Sequence, residues 1–125
     1  MNDITTRQDV EFLVNQFYGK LIDDDVIGFY FTEIAKLDLS KHLPKMYDFW
    51  ESILLGNPVY EGYPMAPHFK LNDAVALEEK HFNRWLQVWE ATVHEYLDGE
   101  KAEMAITRAL NIARIMHHKM VAARG

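Results

Sequence analysis

The sequence predicts an all-α fold in one domain, residues 1–125, with four substantial helices. Apolar residues recur every three or four positions in four separate stretches, which is the spacing that lines one face of a helix. The only short stretch with strand-like composition, residues 26–34, has no other segment to pair with. With 125 residues, 49% of them hydrophobic, the chain is long enough to bury a core.

The first helix is expected to start at Thr5 or Thr6, with Gln8 or Asp9 completing a capping box, and to end at Ile22. Tyr18 borders its apolar face, which consists of Val10, Leu13, Val14, Phe17 and Leu21. The three aspartates at 23–25 are expected to form a solvated turn. Residues 26–34 then favour a short helix or turn.

The second helix is expected to be capped by Asp38 or Ser40 and to end at Gly56-Asn57-Pro58. Pro44 should lie within the first turn or so, or else kink the helix, because proline donates no backbone N–H. The apolar stripe of this helix begins with a histidine: it consists of His42, Met46, Phe49 and Ile53.

A proline-rich loop then leads to His68, and a long third helix is expected from a cap at Asn72 or Asp73 to about Leu97. The last helix, starting at Glu100, carries small residues on its apolar face, which allows a close approach of another helix. His42 and His68 thus lie at the two ends of a stretch that is predicted to hold an apolar helix and a proline-rich turn. This arrangement suggests a flat apolar cofactor with a central metal between them.

Composition excludes several classes of function. The net charge is −6 with no basic stripe, which argues against nucleic-acid binding. The absence of cysteine excludes disulfides, thiolate zinc sites, iron–sulfur clusters and covalent haem attachment. No phosphate-binding loop, nucleophile elbow or zinc-protease motif occurs. No leader or membrane-spanning stretch is evident, so the protein is expected to be cytoplasmic and to act away from membranes.

Four polar side chains stand out as candidates for chemistry, each with a plainer alternative. His68 is either an axial metal ligand or an exposed loop histidine. His42, Tyr18 and Trp85 either face a bound ligand or pack in the core with their polar ends satisfied by the backbone. Their occurrence in three separate apolar stripes favours one shared polar ligand. His81 is expected to be solvated.

The chain resembles the group III truncated haemoglobins, the two-over-two helical globins of bacteria. The resemblance covers roughly residues 10–120, and no Gly-Gly pair of the kind typical of groups I and II occurs. The motifs that carry it are Phe17-Tyr18, His42, Phe49-Trp50, Leu54-Leu55-Gly56, Pro67-His68 and the segment His81-Phe82-Asn83-Arg84-Trp85-Leu86.

The resemblance implies a two-over-two helical sandwich around non-covalent haem b, with His68 as the proximal iron ligand. It also implies a polar distal side and an apolar lining, with a lysine, Lys45 or Lys41, near a haem propionate. The distal residues would be Tyr18, His42 and Trp85, and the lining residues Phe31, Met46 and Phe49.

The implied function is the binding of O2, CO, NO or similar small ligands, with ligand retention or redox chemistry favoured over oxygen transport. The alternative is a peroxidase-like or nitric-oxide-detoxifying haem enzyme on the same scaffold. Either function would need a reducing partner, whose identity the sequence leaves open. A third hypothesis is a non-haem helical interaction module whose aromatic faces bind a partner.

Overall fold

The structure is a computed structural model that describes residues 2–29, 38–59 and 79–124, with side chains described as far as residue 119. These residues form four helices of sixteen residues or more: α1 (Arg7–Ile22), α2 (Leu39–Leu55), α3 (Glu79–Tyr96) and α4 (Glu100–Arg124). The all-α prediction is confirmed. The predicted start of the third helix and the segment 30–34 lie outside the described residues. In the ranges described, none of the helices has the length and apolar character needed to cross a bilayer.

The helices pack as two pairs that share one core. Helix α1 packs on α2 and on α3, α3 packs on α4, and α2 also touches α4. The predicted apolar face of α1 is buried, with Phe17 only 1% exposed. On α4 four of the buried positions are alanines, which lets α3 lie close to it; these are Ala102, Ala105, Ala109 and Ala113.

The helix ends follow the predicted capping chemistry. Thr6 caps α1 and forms a capping box with Asp9, which selects one of the two predicted starts. Asp38 caps α2, and its side chain accepts the backbone N–H of Ser40. Gly56 ends α2 at φ 74°, a left-handed conformation that glycine adopts without a steric penalty.

The segment before α1 is fastened to the turn between α3 and α4. The Asp3 carboxylate accepts the backbone N–H groups of Lys101 (2.9 Å) and Ala102 (2.8 Å) in the first turn of α4. Burial opposes ionisation here, but these donors and the N–H of Ile4 lower the pKa of Asp3 below its usual range. A Cβ at Gly99, where φ is 136°, would lie 2.5 Å from the Asp3 Cγ. This turn therefore requires glycine.

The prediction of a solvated turn at residues 23–25 is wrong for Asp24. The Asp24 carboxylate accepts hydrogen bonds from Arg84 Nε at 2.7 Å and from the backbone N–H groups of Val26 and Ile27. Its side chain is 4% exposed, whereas Asp23 and Asp25 are exposed as expected. The Arg84 guanidinium, assisted by these backbone donors, lowers the pKa of Asp24. Asp24 therefore joins the end of α1 to α3.

Replacement of Asp24 by asparagine should make stability less dependent on pH. Because the folded-state pKa of Asp24 is lowered, its contribution is complete above the unfolded value of about 3.9 and disappears as the pH falls through the folded value. We expect Asp24→Asn to lower the free energy of unfolding by about 1–2 kcal/mol near neutral pH. Urea denaturation should show the two proteins converging in acid. Asp25→Asn, at the exposed neighbour, is the control, and a difference that persists unchanged in strong acid would contradict the assignment.

Candidate functional site

Two of the predicted distal side chains are brought together by α1 and α2. Tyr18 lies in the last half of α1, and His42 lies in the first turn of α2. The Tyr18 Oη and the His42 Nε2 are 2.8 Å apart, which is hydrogen-bond distance. The two rings meet edge to face, with centroids 5.1 Å apart. A polar pair therefore joins two otherwise apolar helix faces.

The start of α2 positions His42. Its backbone N–H donates to the Asp38 carbonyl at 3.0 Å, so the residue belongs to the regular helix. Pro44 is the sixth residue of α2 and lies in the second turn, slightly deeper than predicted. It cannot donate an N–H to the Ser40 carbonyl one turn earlier. The helix nevertheless continues through it to Leu55.

Burial fixes the protonation state of Tyr18. The side chain is 8% exposed, and its desolvation raises the pKa of the phenol above its usual range. The phenol therefore stays protonated and has one proton to donate. Whether that proton points at His42 depends on the imidazole, because either ring nitrogen can carry the hydrogen of a neutral histidine.

Trp85, on α3, is the third predicted distal residue. It is half-buried, and its ring lies edge-on to Phe17 with centroids 5.8 Å apart. Phe17 also contacts the Tyr18 ring at 5.1 Å, so one phenylalanine links Trp85 to the Tyr18–His42 pair. The Trp85 indole N–H has no acceptor among the residues that the structure describes. The indole N–H can therefore donate a hydrogen bond to a ligand.

The apolar stripe of α2 continues from His42 along a half-buried face. Met46, Phe49 and Ile53 share this face, and all three pack against the core. Lys45 and Lys41 are exposed on the same helix. The remaining predicted site residues, Phe31 and His68, lie outside the described residues, so the predicted iron ligand stays a prediction.

The donor set and the apolar face fit a haem group. Haem needs a broad apolar surface on which to pack and one axial ligand, and its bound ligands respond to nearby hydrogen-bond donors. The half-buried stripe of α2 supplies such a surface. A phenol, an imidazole and an indole from three helices supply the polar groups. Among residues 2–29, 38–59 and 79–119, no three His, Cys, Asp or Glu side chains form a metal-binding cluster, and haem requires none.

Sequence reasoning missed two features beside these residues. The first is a column of rings, in which Trp89 stacks on Trp50 at 4.5 Å and on Trp85 at 6.4 Å. The i, i+4 spacing of Trp85 and Trp89 is a signal for part of it, since such residues share a helix face. The second concerns His81, which is buried at 6% exposure; its predicted solvation is wrong. Its charged neighbours Glu79 and Lys80 are exposed, so the local pattern did not indicate that His81 would be buried.

Comparison with known proteins agrees with the resemblance seen in the sequence. A group 3 truncated hemoglobin of Campylobacter jejuni is 26% identical over 110 residues, which cover 86% of this chain and 84% of that protein. The crystal structure of a group III truncated hemoglobin from the same organism superposes with a TM-score of 0.82 at 23% identity, covering 96% of this chain and 95% of the other. This likeness confirms the predicted truncated globin fold. The family model for bacterial-like globins matches residues 2–121, and the chain therefore belongs to that family.

Proposed function

We propose that this chain holds haem b and binds O2 and other small diatomic ligands beside Tyr18, His42 and Trp85. Membership of the globin family supports haem as the prosthetic group. The observation that carries the proposal is the 2.8 Å contact between Tyr18 and His42, since it brings a buried phenol and an imidazole together beside an apolar face. We assign ligand retention or redox chemistry to the protein, rather than oxygen transport.

The residues that would hold the group are on α2 and at positions 31 and 68, which lie outside the described residues. His68 would ligate the iron through a neutral imidazole. Met46 and Phe49 would pack on the porphyrin from α2, together with Phe31. Lys45 is exposed on the same helix and would pair with a propionate. Because the chain has no cysteine, the haem would be held without thioether bonds.

Haem, when bound, supplies a ferrous iron that takes a diatomic ligand and leaves partial negative charge on it. Tyr18 and Trp85 would donate hydrogen bonds to that charge. A hydrogen bond to a charged acceptor contributes about 1.5–3 kcal/mol, which corresponds to roughly 10–100-fold slower ligand release. Strong retention of this kind is unsuited to oxygen delivery, and this is why we favour retention or redox chemistry.

The alternative function is a peroxidase-like or nitric-oxide-oxidising haem enzyme. The same Tyr18–His42 hydrogen bond favours it, because an imidazole held in position by the phenol could take up a proton from a substrate and return it. The two functions differ in turnover. An enzyme should reduce peroxide faster than a storage globin does, and its rate should fall in Tyr18→Phe and Trp85→Leu. Equal turnover in both variants and the parent protein would argue for binding alone.

An absorption spectrum tests the proposal directly. The protein reconstituted with hemin should show a Soret band at one haem per chain, with distinct ferric, ferrous and CO-treated spectra. Tyr18→Phe should then release O2 roughly 10–100-fold faster, because one donor to the ligand is lost. Tyr47→Phe is the matched control, since Tyr47 lies on α2 and bonds to Asn15. A colourless protein that hemin leaves unchanged would instead favour the helical interaction module.

A further inference from the structure

All three tryptophans of the chain lie in one column of rings. Trp85 and Trp89 share a face of α3, with centroids 6.4 Å apart and planes 5° from parallel. Trp50, on α2, stacks on Trp89 with ring centroids 4.5 Å apart and planes 20° from parallel. The column runs from the half-buried Trp85, one of the candidate distal residues, through Trp89 at 1% exposure to Trp50 at 4%.

Neighbouring groups hold the column in place and give it a distinct chemical character. The Phe17 ring lies edge-on to Trp89 at 4.9 Å, and the Phe49 ring lies at a steep angle to Trp50 at 5.3 Å. The Trp89 indole N–H donates to the Ala105 carbonyl at 3.0 Å. An amide carbonyl is too weak a base to take the indole proton.

We propose that the three indoles form a route for single electrons, which carries oxidising equivalents from the pocket at Trp85 through Trp89 to Trp50. The proposal rests on the haem-binding function proposed above. Indole is among the most easily oxidised side chains, and the flanking phenylalanines are hard to oxidise. The chain has no cysteine to compete for the charge. At its printed ring contacts with phenylalanine, the column therefore meets side chains that are harder to oxidise than indole.

The electron balance requires one oxidant and one external reductant. Over the full cycle hydrogen peroxide, the oxidant, takes up two electrons and two protons from solvent and becomes two waters. Bound haem would supply one of these electrons, and the column would supply the other from Trp50, by way of Trp89 and Trp85. Trp50 is left as an indole radical cation with its proton retained. Two equivalents of a one-electron donor such as ascorbate then return both electrons, one to Trp50 and one to the haem.

A charge cluster that includes the residue after Trp50 favours a cation at that end. Its sequence neighbour Glu51 is buried at 8% exposure and accepts a hydrogen bond from Arg7 at 3.0 Å. Arg7 also pairs with Glu11 at 3.0 Å and with Asp48 at 2.7 Å. One guanidinium thus faces three carboxylates, and the cluster keeps a net charge of −2. Such a surplus stabilises a positive charge nearby.

The test locates the radical. The ferric, hemin-loaded protein is mixed with one equivalent of hydrogen peroxide, then frozen for electron paramagnetic resonance or digested for mass spectrometry. We expect an indole radical, whose signal narrows when deuterated tryptophan is incorporated, and oxidation products at Trp50. Trp89→Phe should remove most of the oxidation at Trp50 and speed haem bleaching. Unchanged oxidation at Trp50 in that variant, or a radical confined to Tyr18, would overturn the proposal.

Two controls keep the outcome clear. Tyr96→Phe removes an oxidisable ring of α3 outside the column and should leave the radical unchanged. Trp50→Phe replaces the end of the column. If Trp89→Phe fails to fold, as judged by circular dichroism, the test is whether the oxidation products in Trp50→Phe move to Trp89. A column that acts only in packing predicts altered stability in both variants with an unaltered radical yield.

Failure to bind hemin would contradict the proposed function, and the column would then be tested without haem. Because the chain contains no cysteine, Asn57→Cys gives one attachment point for a ruthenium photo-oxidant just beyond α2. A flash should produce indole radical absorption, and most of it should be lost when both Trp50 and Trp89 are phenylalanine. An unchanged yield in that double variant would refute the electron route by itself.

Discussion

Replacement of His68 by alanine is expected to abolish normal haem retention, whereas His42→Ala should mainly change the kinetics of ligand binding. An axial imidazole bonds the iron directly, and removal of groups that merely support such a ligand already costs about 10–100-fold in metal affinity. His42 lies against Tyr18, so its loss should alter a hydrogen bond and leave the haem in place. Transfer of haem to an excess of an apo-globin acceptor measures retention, and flash photolysis of the CO complex measures kinetics.

A third histidine provides the control for this pair. His118 is exposed on α4, so His118→Ala should retain haem as the parent protein does. Equal haem loss in His68→Ala and His42→Ala would show that both imidazoles ligate the iron. Full retention in His68→Ala would remove the proximal assignment altogether.

Phe17→Ala is expected to cost about 3–5 kcal/mol of unfolding free energy, because it leaves a cavity among rings that cannot close over it. Phe17 is 1% exposed and contacts Tyr18, Trp85 and Trp89 edge to face. A loss of this size is a large part of the stability of a typical domain, which is about 5–15 kcal/mol. Urea denaturation of the haem-free protein measures it.

Phe12→Ala is the matched control, since it makes the same change five residues earlier on α1. Phe12 is 43% exposed and meets one ring, that of Tyr96, at 4.9 Å. It should therefore lose much less stability than Phe17→Ala. Similar losses in the two variants would mean that Phe17 is not the centre of the ring packing.

The helices and their ends were predictable because their signals are local. The burial of α1 follows from the spacing of Val10 and Leu13 along the chain, and the caps at Thr6 and Gly56 follow from their immediate neighbours. Periodicity also placed Tyr18 on the border of an apolar face. None of these inferences needed to know which helices become neighbours.

The contacts that join distant segments were not predictable from local signals. Asp24 and Arg84 are sixty positions apart, and neither shows in its own stretch that it will meet the other. The burial of His81 likewise depends on what packs over the start of α3. Within the site, the apolar stripes suggested that Tyr18 and His42 share a polar ligand, but the direct contact between their side chains could not be predicted from spacing.

The hydrogen bond between Tyr18 and His42 couples the tautomer of the imidazole to the direction of the phenol hydrogen. A phenol owns a single hydrogen, so if the imidazole receives it, only lone pairs remain to meet an incoming gas molecule. If the imidazole instead carries its hydrogen on Nε2, it donates to the phenol oxygen, and the phenol hydrogen points away from His42. In the proposed function, the tautomer of His42 would therefore change the lifetime of a ligand bound beside Tyr18, and a substitution at His42 would act through the unchanged phenol.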